Sequence, residues 1–247
     1  MDDHMVHLQV AVIPTWVTVF AWIYTVAGLL FAAWILVDTY VGGYRQRVRG
    51  MELVWPITAV WSGPLGLWAY YRWGRPASPK WQSEHGSAPE LGMPAKVAVE
   101  VIPGGAASFV GHAIAVPIVT LTGITIAGEH VWPMILLIAV FALPLLIAFE
   151  YHALTVTLGR QSSSGRRLRV ATLISALAVL AFDLGMGATM LLVAFVLGYP
   201  HASMAFWLVM WGGITLGFIT AYPMVWWLLA RGTPQSVLEP AKTAETA

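Results

Sequence analysis

The chain has 247 residues, of which 58% are hydrophobic and 10% are charged, whereas roughly a quarter of the residues of a soluble domain are charged. With a mean hydropathy of +0.73, this composition excludes a soluble globular protein and indicates an integral membrane protein. The absence of cysteine excludes disulfides, thiolate metal sites and iron–sulfur clusters. The net charge of +1 gives no support for nucleic-acid binding, so the expected partner is the lipid bilayer.

The hydropathy pattern predicts an all-α, polytopic membrane helical bundle with about six membrane-embedded helices. In chain order, the predicted segments are 15–41, 53–71, 97–127, 131–157, 170–197 and 204–230. The transmembrane domain is therefore predicted over 15–230. The segment before it, 1–14, lacks the basic region and cleavage site of a signal peptide, so we expect the first helix to be retained. The tail 231–247 has no apolar period and is predicted to be disordered.

The distribution of lysine and arginine predicts how the bundle sits in the membrane. The loops before the third segment and between the fourth and fifth are basic, and so is the tail. The sequences GEH at 128–130 and YPH at 199–201 contain no lysine or arginine. The positive-inside rule therefore predicts a cytoplasmic C-terminus.

The second segment leaves two topologies open. If 53–71 spans the membrane, the arginines at 45, 47 and 49 face outward against the positive-inside rule. If the segment is re-entrant, they fall inside with the other cations, and its content of Pro56, Gly63 and Pro64 permits this. Its length of about 19 residues is sufficient for a roughly 30 Å hydrocarbon layer, which slightly favours six spans.

Two aromatic blocks carry a resemblance to a known family. The second segment reads VWPITAVWSGPLGLWAYYRWGR and the sixth reads FWLVMWGGITLGFITAYPMVWWLLARG. Over residues 50–232 the chain resembles the bacterial membrane family catalogued as domain of unknown function 4396. This resemblance implies a helical protein of the bacterial inner membrane without an assigned activity. Relatives carry a His-Cys-Gly-x-Gly-Cys block where this chain has GHAIAVP; His112 matches the histidine, and Ala113 and Pro117 replace the cysteines.

Asp183 is the first candidate for chemistry inside the membrane. It lies 13 residues into the fifth segment, which places it about 20 Å deep, near the centre of the bilayer. An ionised carboxylate facing lipid at that depth is costly, so the side chain is expected to face other helices. His112 lies at a similar predicted depth in the third segment and is the expected partner. The pair indicates either a proton or cation relay or an interhelical hydrogen bond that only fixes packing.

A polar stripe on the third segment is the second candidate. Glu100, Gly104, Ser108 and His112 recur every four residues, so an unbroken helix would place them on one face, as in the wall of a hydrated path. We expect Pro103 to break this helix, which would leave Glu100 as an interfacial residue. Glu150, near the end of the fourth segment, joins the predicted path or pairs with Arg160 or Arg166 in the following basic loop.

The external side carries histidine and methionine at the ends of segments. The candidate metal ligands are His130, Met134, His201 and Met204, joined by His4, Met5 and His7 if the N-terminus is outside. Imidazole and thioether groups suit copper, which makes copper the candidate cofactor. Against this, interfacial histidine and methionine are common, and these spacings match no fixed metal site.

Three functions remain open from the sequence. The leading hypothesis is a small inner-membrane protein that handles a small solute, protons or a metal ion through a polar path between the third and fifth segments. The alternatives are a non-catalytic subunit or assembly factor and a copper-binding membrane protein. For the subunit, the Gly213 and Gly217 pair would contact a second copy or another membrane protein. Neither an HExxH motif nor a carboxylate pair beside a nucleophile is present, so no catalytic residue is assigned.

Overall fold

Long helices account for most of the chain. A computed structural model describes residues 12–158, 163–233 and 237. The helices are α1 Thr15–Tyr40, α2 Met51–Ser62, α3 Pro64–Ala69, α4 Pro79–His85, α5 Met93–Thr122, α6 Val131–Leu158, α7 Ser164–Leu192 and α8 Met204–Ala230. Among the described residues the only β-type pairing is an isolated bridge between Ile126 and Glu129, so the all-α prediction is confirmed. The predicted segment 1–14 and the predicted tail fall mostly outside the described residues.

Within the described residues, five helices are long and apolar enough to cross a bilayer. They are α1, α5, α6, α7 with its π-helical continuation Val193–Leu197, and α8. The shortest has 26 residues, which at 1.5 Å per residue exceeds the roughly 30 Å of hydrocarbon. Five of the six predicted segments thus form span-length helices, as a multi-pass membrane protein requires.

The second predicted segment folds into a helical hairpin rather than a span. Gly63, at a φ of +58°, ends α2, and Pro64 starts α3 in a new direction. A Cβ built on Gly74 would lie 2.5 Å from the Trp55 ring, whereas a straight helix would separate residues 55 and 74 by about 28 Å. The hairpin therefore enters and leaves at one end of the bundle. The slight preference for six spans was wrong, and the re-entrant alternative describes this segment.

Polar contacts fix the hairpin along the second half of α1. At its tip, Tyr24 Oη donates to the Trp61 carbonyl at 3.0 Å. At its base, Tyr70 Oη and Arg75 Nε both donate to Asp38 Oδ2, at 2.7 Å and 3.0 Å. Tyr24 and Asp38 are about 21 Å apart along α1, so the hairpin reaches well into the depth of the bundle. Sequence reasoning missed Asp38, although an aspartate inside an apolar run of this length was a visible signal.

Helices α5 to α8 pack through glycine at close range. A Cβ on Gly111 would lie 2.8 Å from the Ile138 carbonyl oxygen of α6, so the lack of a side chain there lets the two helices approach closely. A Cβ on Gly213 would lie 2.8 Å from Met186 Sδ, and one on Gly217 would lie 2.6 Å from the Phe182 ring. The glycine pair predicted to contact a partner thus contacts α7 of the same chain.

Every lysine and arginine that the structure describes lies at one end of the bundle, here called the basic pole. Contacts between helix ends define it: Tyr222 Oη of α8 donates to the Pro94 carbonyl at the start of α5 at 3.0 Å. Arg167 at the start of α7 lies over the Tyr151 ring of α6. The other end, here called the opposite pole, contains the start of α1 and the loops 123–130 and 198–203.

Candidate functional site

The polar stripe predicted on the third segment lies on one continuous helix. Helix α5 continues through Pro103 and Pro117, so the predicted break at Pro103 was wrong. Glu100 and Gly104 lie towards the basic pole, while Ser108 and His112 follow deeper in the bundle. Ser108 is 4% exposed and His112 is 1% exposed, which places this face of α5 inside the protein.

Glu100 and Glu150 line the same small cavity between α5, α6, α7 and α8. The cavity holds about 30 Å³, which is sufficient for a water molecule but not for an organic solute. Glu150 is 3% exposed, and apolar residues complete most of the wall, among them Leu146, Phe182 and Val225. The sequence predicted both carboxylates as site residues but not that they share a cavity, because they are 50 positions apart on different helices. Arg160, a predicted partner of Glu150, lies outside the described residues.

The tail returns to this cavity at the basic pole. The backbone N–H of Val237 donates to Glu100 Oε1 at 3.0 Å. Thr233, just after α8, lines the same cavity. Val237 therefore lies beside the carboxylate of Glu100, a contact that no sequence pattern indicated.

His112 presents an acceptor deep in the bundle. Its Nδ1 lies 2.8 Å from the Ser108 carbonyl oxygen. A carbonyl can only accept, so Nδ1 carries the hydrogen, and in the neutral ring Nε2 is left with a lone pair. Within the described residues, Nε2 of His112 and Oγ of Ser108 have no hydrogen-bond partner. Such buried groups are uncommon and costly, which marks this place as a candidate site.

An apolar layer closes the path beyond His112. Towards the opposite pole, the neighbouring side chains of α5 and of the helices around it are fully buried and apolar. They include Val116, Val119, Met134 and Ile138. On α5 the lining of the cavity extends to Gly104, and the polar face of the helix continues through Ser108 to His112 and ends there.

Asp183 lies apart from His112. Gly105 contacts Ile214, and the adjacent Gly213 contacts Met186, so Gly105 and Met186 lie at nearly the same height in the bundle. Helices α5 and α7 both run from the basic pole to the opposite pole. His112 lies seven residues past Gly105 in that direction, and Asp183 lies three residues short of Met186. Ten residues of rise, or about 15 Å along the helices, therefore separate His112 from Asp183. Asp183 is half-buried and does not line the cavity of Glu100 and Glu150. It makes no hydrogen bond or ion pair in the described part of the chain.

The four predicted metal ligands lie at the opposite pole in different surroundings. Met134 is fully buried in the core, and Met204 is half-buried at the start of α8. His130 is exposed, with Nδ1 3.0 Å from the Ile124 carbonyl oxygen. Burial and the nearby His130 both lower the pKa of His201. No group of three or more histidine, aspartate or glutamate side chains that could hold a metal ion occurs among the described residues, and His4, Met5 and His7 lie outside them.

One comparison with known proteins gave a match. The model of the family described as Domain of unknown function (DUF4396) matches residues 95–233. This range contains α6, α7, α8 and nearly all of α5, and with them Glu100, Ser108, His112 and Glu150. The hairpin, which carries part of the resemblance noted in the sequence, lies outside the matched residues. No match was found among curated proteins or among solved structures.

Proposed function

The chain belongs to the family of the domain of unknown function 4396, and we propose that it is an inner-membrane protein that conducts protons along α5. In this proposal the basic pole faces the cytoplasm, because the positive-inside rule places lysine and arginine there. The C-terminal tail is then cytoplasmic, and α1 begins on the outer side.

The shared cavity of Glu100 and Glu150 is the observation that carries this proposal. Two carboxyl groups around a space for one water can exchange a proton through that water. Ser108 and His112 continue along the same face, and hydroxyl and imidazole groups both accept and donate protons. The size of the cavity favours protons over a larger solute. Ionisable groups inside a membrane commonly mark proton relays.

The proposed path is open to one side only. A proton that enters from the basic pole passes along α5 to Nε2 of His112, and the apolar layer of Val116, Val119 and Met134 separates it from the opposite pole. Transfer across the whole bilayer therefore requires these side chains to move apart in a second conformation. Asp183, which the sequence favoured for this path, is not needed for it.

Proton flux into liposomes tests this proposal. Purified protein is reconstituted with a pH-sensitive dye inside the vesicles, and flux is driven by a potassium diffusion potential. Glu150→Gln keeps the shape of the side chain but cannot ionise, so we expect the flux to fall about tenfold or more. Asp183→Asn and Glu129→Gln, which alter carboxylates away from the cavity, should leave the flux at the wild-type value.

Two results would contradict the proposal. One is a wild-type flux no greater than that of protein-free liposomes at either polarity of the potential. The other is equal flux in wild type and Glu150→Gln. A loss in Asp183→Asn with none in Glu150→Gln would return the path to the space between α5 and α7, where the sequence predicted it.

A further inference from the structure

A second and larger cavity opens at the basic pole, at the base of the hairpin. Its volume is about 570 Å³, which is in the range of small-molecule sites. The walls come from the start of α2, from the returning arm of the hairpin, from the loop after α4 and from the first turn of α5. It shares no lining residue with the cavity of Glu100 and Glu150.

Positive charge dominates this larger cavity. Arg47, Arg72 and Lys96 line it, and among the described residues Glu90 is the only carboxylate in its wall. In the part of the chain that the structure describes, none of these three cations forms an ion pair. The wall therefore has an excess of positive charge that nothing described here neutralises.

Neighbouring cations at the same pole are paired. Arg45 binds Glu52 at 2.8 Å, Arg75 binds Asp38 at 3.0 Å, and Lys80 lies 3.8 Å from Glu84. None of these paired cations lines the cavity. Glu52, Asp38 and Glu84 are thus used outside the cavity, and Glu90 alone is too little negative charge to balance its three cations.

Trp55 adds an unused donor to the wall. Its side chain is 1% exposed, and among the described residues its Nε1 has no hydrogen-bond partner. Leaving a buried N–H without an acceptor is costly, and after a small shift of the ring away from Gly74 an oxygen atom of a ligand would remove that cost. The ring stacks edge-on against Tyr70 and contacts Gly74, so it is held in place by the hairpin.

From these observations we infer that this cavity binds a phosphate group carried by a small organic molecule or by a lipid headgroup. Arginine and lysine side chains are the usual protein donors to phosphate oxygens. The volume exceeds that of a phosphate ion and leaves room for a substituent of the size of glycerol. A basic cavity between membrane helices at the cytoplasmic surface is also suited to an anionic headgroup.

Binding to the full-length protein in neutral detergent tests this inference. The soluble probe is glycerol 3-phosphate, and the lipid probes are short-chain phosphatidylglycerol and phosphatidylcholine, each titrated by calorimetry at low salt. The test variant combines Arg72→Gln with Lys96→Gln, and the matched control is Arg49→Gln. Arg49 is an exposed cation of the same pole that does not line the cavity. Trp55→Phe removes the indole N–H together with part of the buried ring.

We expect at least one phosphate-bearing probe to bind, with affinity about tenfold or more lower in the double variant, several-fold lower in Trp55→Phe and unchanged in Arg49→Gln. Binding of glycerol 3-phosphate identifies a soluble ligand. Binding of phosphatidylglycerol without glycerol 3-phosphate identifies a lipid.

Equal binding of phosphatidylglycerol and phosphatidylcholine, equal loss in Arg49→Gln, or no binding of any probe would overturn the inference. The measurement contains no flux, so its outcome is separate from that of the proposed proton path.

Discussion

The polar side chains inside this bundle differ in whether they face a cavity and another polar group. Glu150 is buried and faces a water-sized cavity with a second carboxylate, whereas Asp183 is half-buried and lines no part of that cavity. His112 holds one ring nitrogen in a hydrogen bond and leaves the other as a bare acceptor. At this scale, function follows from the surroundings of a residue rather than from its depth.

His201 gives a prediction about pH at the opposite pole. Its pKa is lowered by burial and by His130, so the folded protein binds its proton less readily than the unfolded chain does. The neutral imidazole therefore contributes stability that is complete above a pH of about 6.5 and is lost as the pH falls below it. We expect the melting temperature in detergent to fall less in His201→Gln than in wild type between neutral and mildly acidic pH.

The matched control is His152→Gln, because His152 is exposed and lies on α6 rather than in the loop 198–203. It should keep the wild-type dependence on pH. An identical fall in His201→Gln and in wild type would show that other groups carry the acid sensitivity.

Pairs of helices in this protein are joined where glycine removes a side chain from the contact. Gly111 allows α5 to approach the backbone of α6, and Gly185 and Gly217 do the same between α7 and α8. In a membrane, where lipid is as apolar as leucine, such close contact is a main source of helix association. The sequence pattern identified Gly217 together with Gly213, but only the contacts showed that their partner is α7 of the same chain.

Two glycines of α7 provide a matched test of this packing. A Cβ on Gly185 would lie 2.6 Å from the Leu216 carbonyl oxygen, whereas one on Gly187 would have no atom within 4 Å. Gly185→Ala should therefore destabilise the protein by about 1–3 kcal/mol, because backbone must shift to relieve the overlap. Gly187→Ala should leave it as stable or slightly more stable. Thermal unfolding in detergent measures both, and equal melting temperatures would show that α7 and α8 are not packed as described.

The whole molecule is asymmetric between its two poles. A re-entrant hairpin allows all described lysine and arginine residues to lie at the basic pole with five spans. A spanning second segment would have divided these cations between the two sides. A re-entrant second segment therefore satisfies the positive-inside rule and places the basic cavity on the same side as the other described cations.

Labelling of single cysteines tests this arrangement, since the chain has no cysteine of its own. Arg49→Cys and Ser87→Cys flank the hairpin, and Ala202→Cys lies at the opposite pole; all three positions are exposed. In intact spheroplasts we expect a membrane-impermeant maleimide to label only Ala202→Cys, with the other two labelled after lysis. Labelling of Arg49→Cys and Ser87→Cys from different sides would mean that the second segment spans the membrane.

Composition and hydropathy were sufficient to establish the class of protein and five of its helices. Long apolar runs have few structural options in lipid, because backbone groups must be hydrogen-bonded within the segment. The polar stripe on α5 also followed from spacing alone, since a helical period brings every fourth residue to one face. The basic loops also predicted an orientation, because lysine and arginine next to a membrane span can be located from the sequence alone.

Tertiary structure decided everything that depends on contact between distant parts of the chain. The length of 53–71 is compatible with a span or a hairpin, and only the contact of Trp55 with Gly74 distinguishes them. Depth along a helix could not show that Glu100 meets Glu150 or that Asp183 lies away from His112, because depth does not specify rotation or register between helices. The sequence therefore determined what each segment is, and the packing of the segments determined which polar groups share a site.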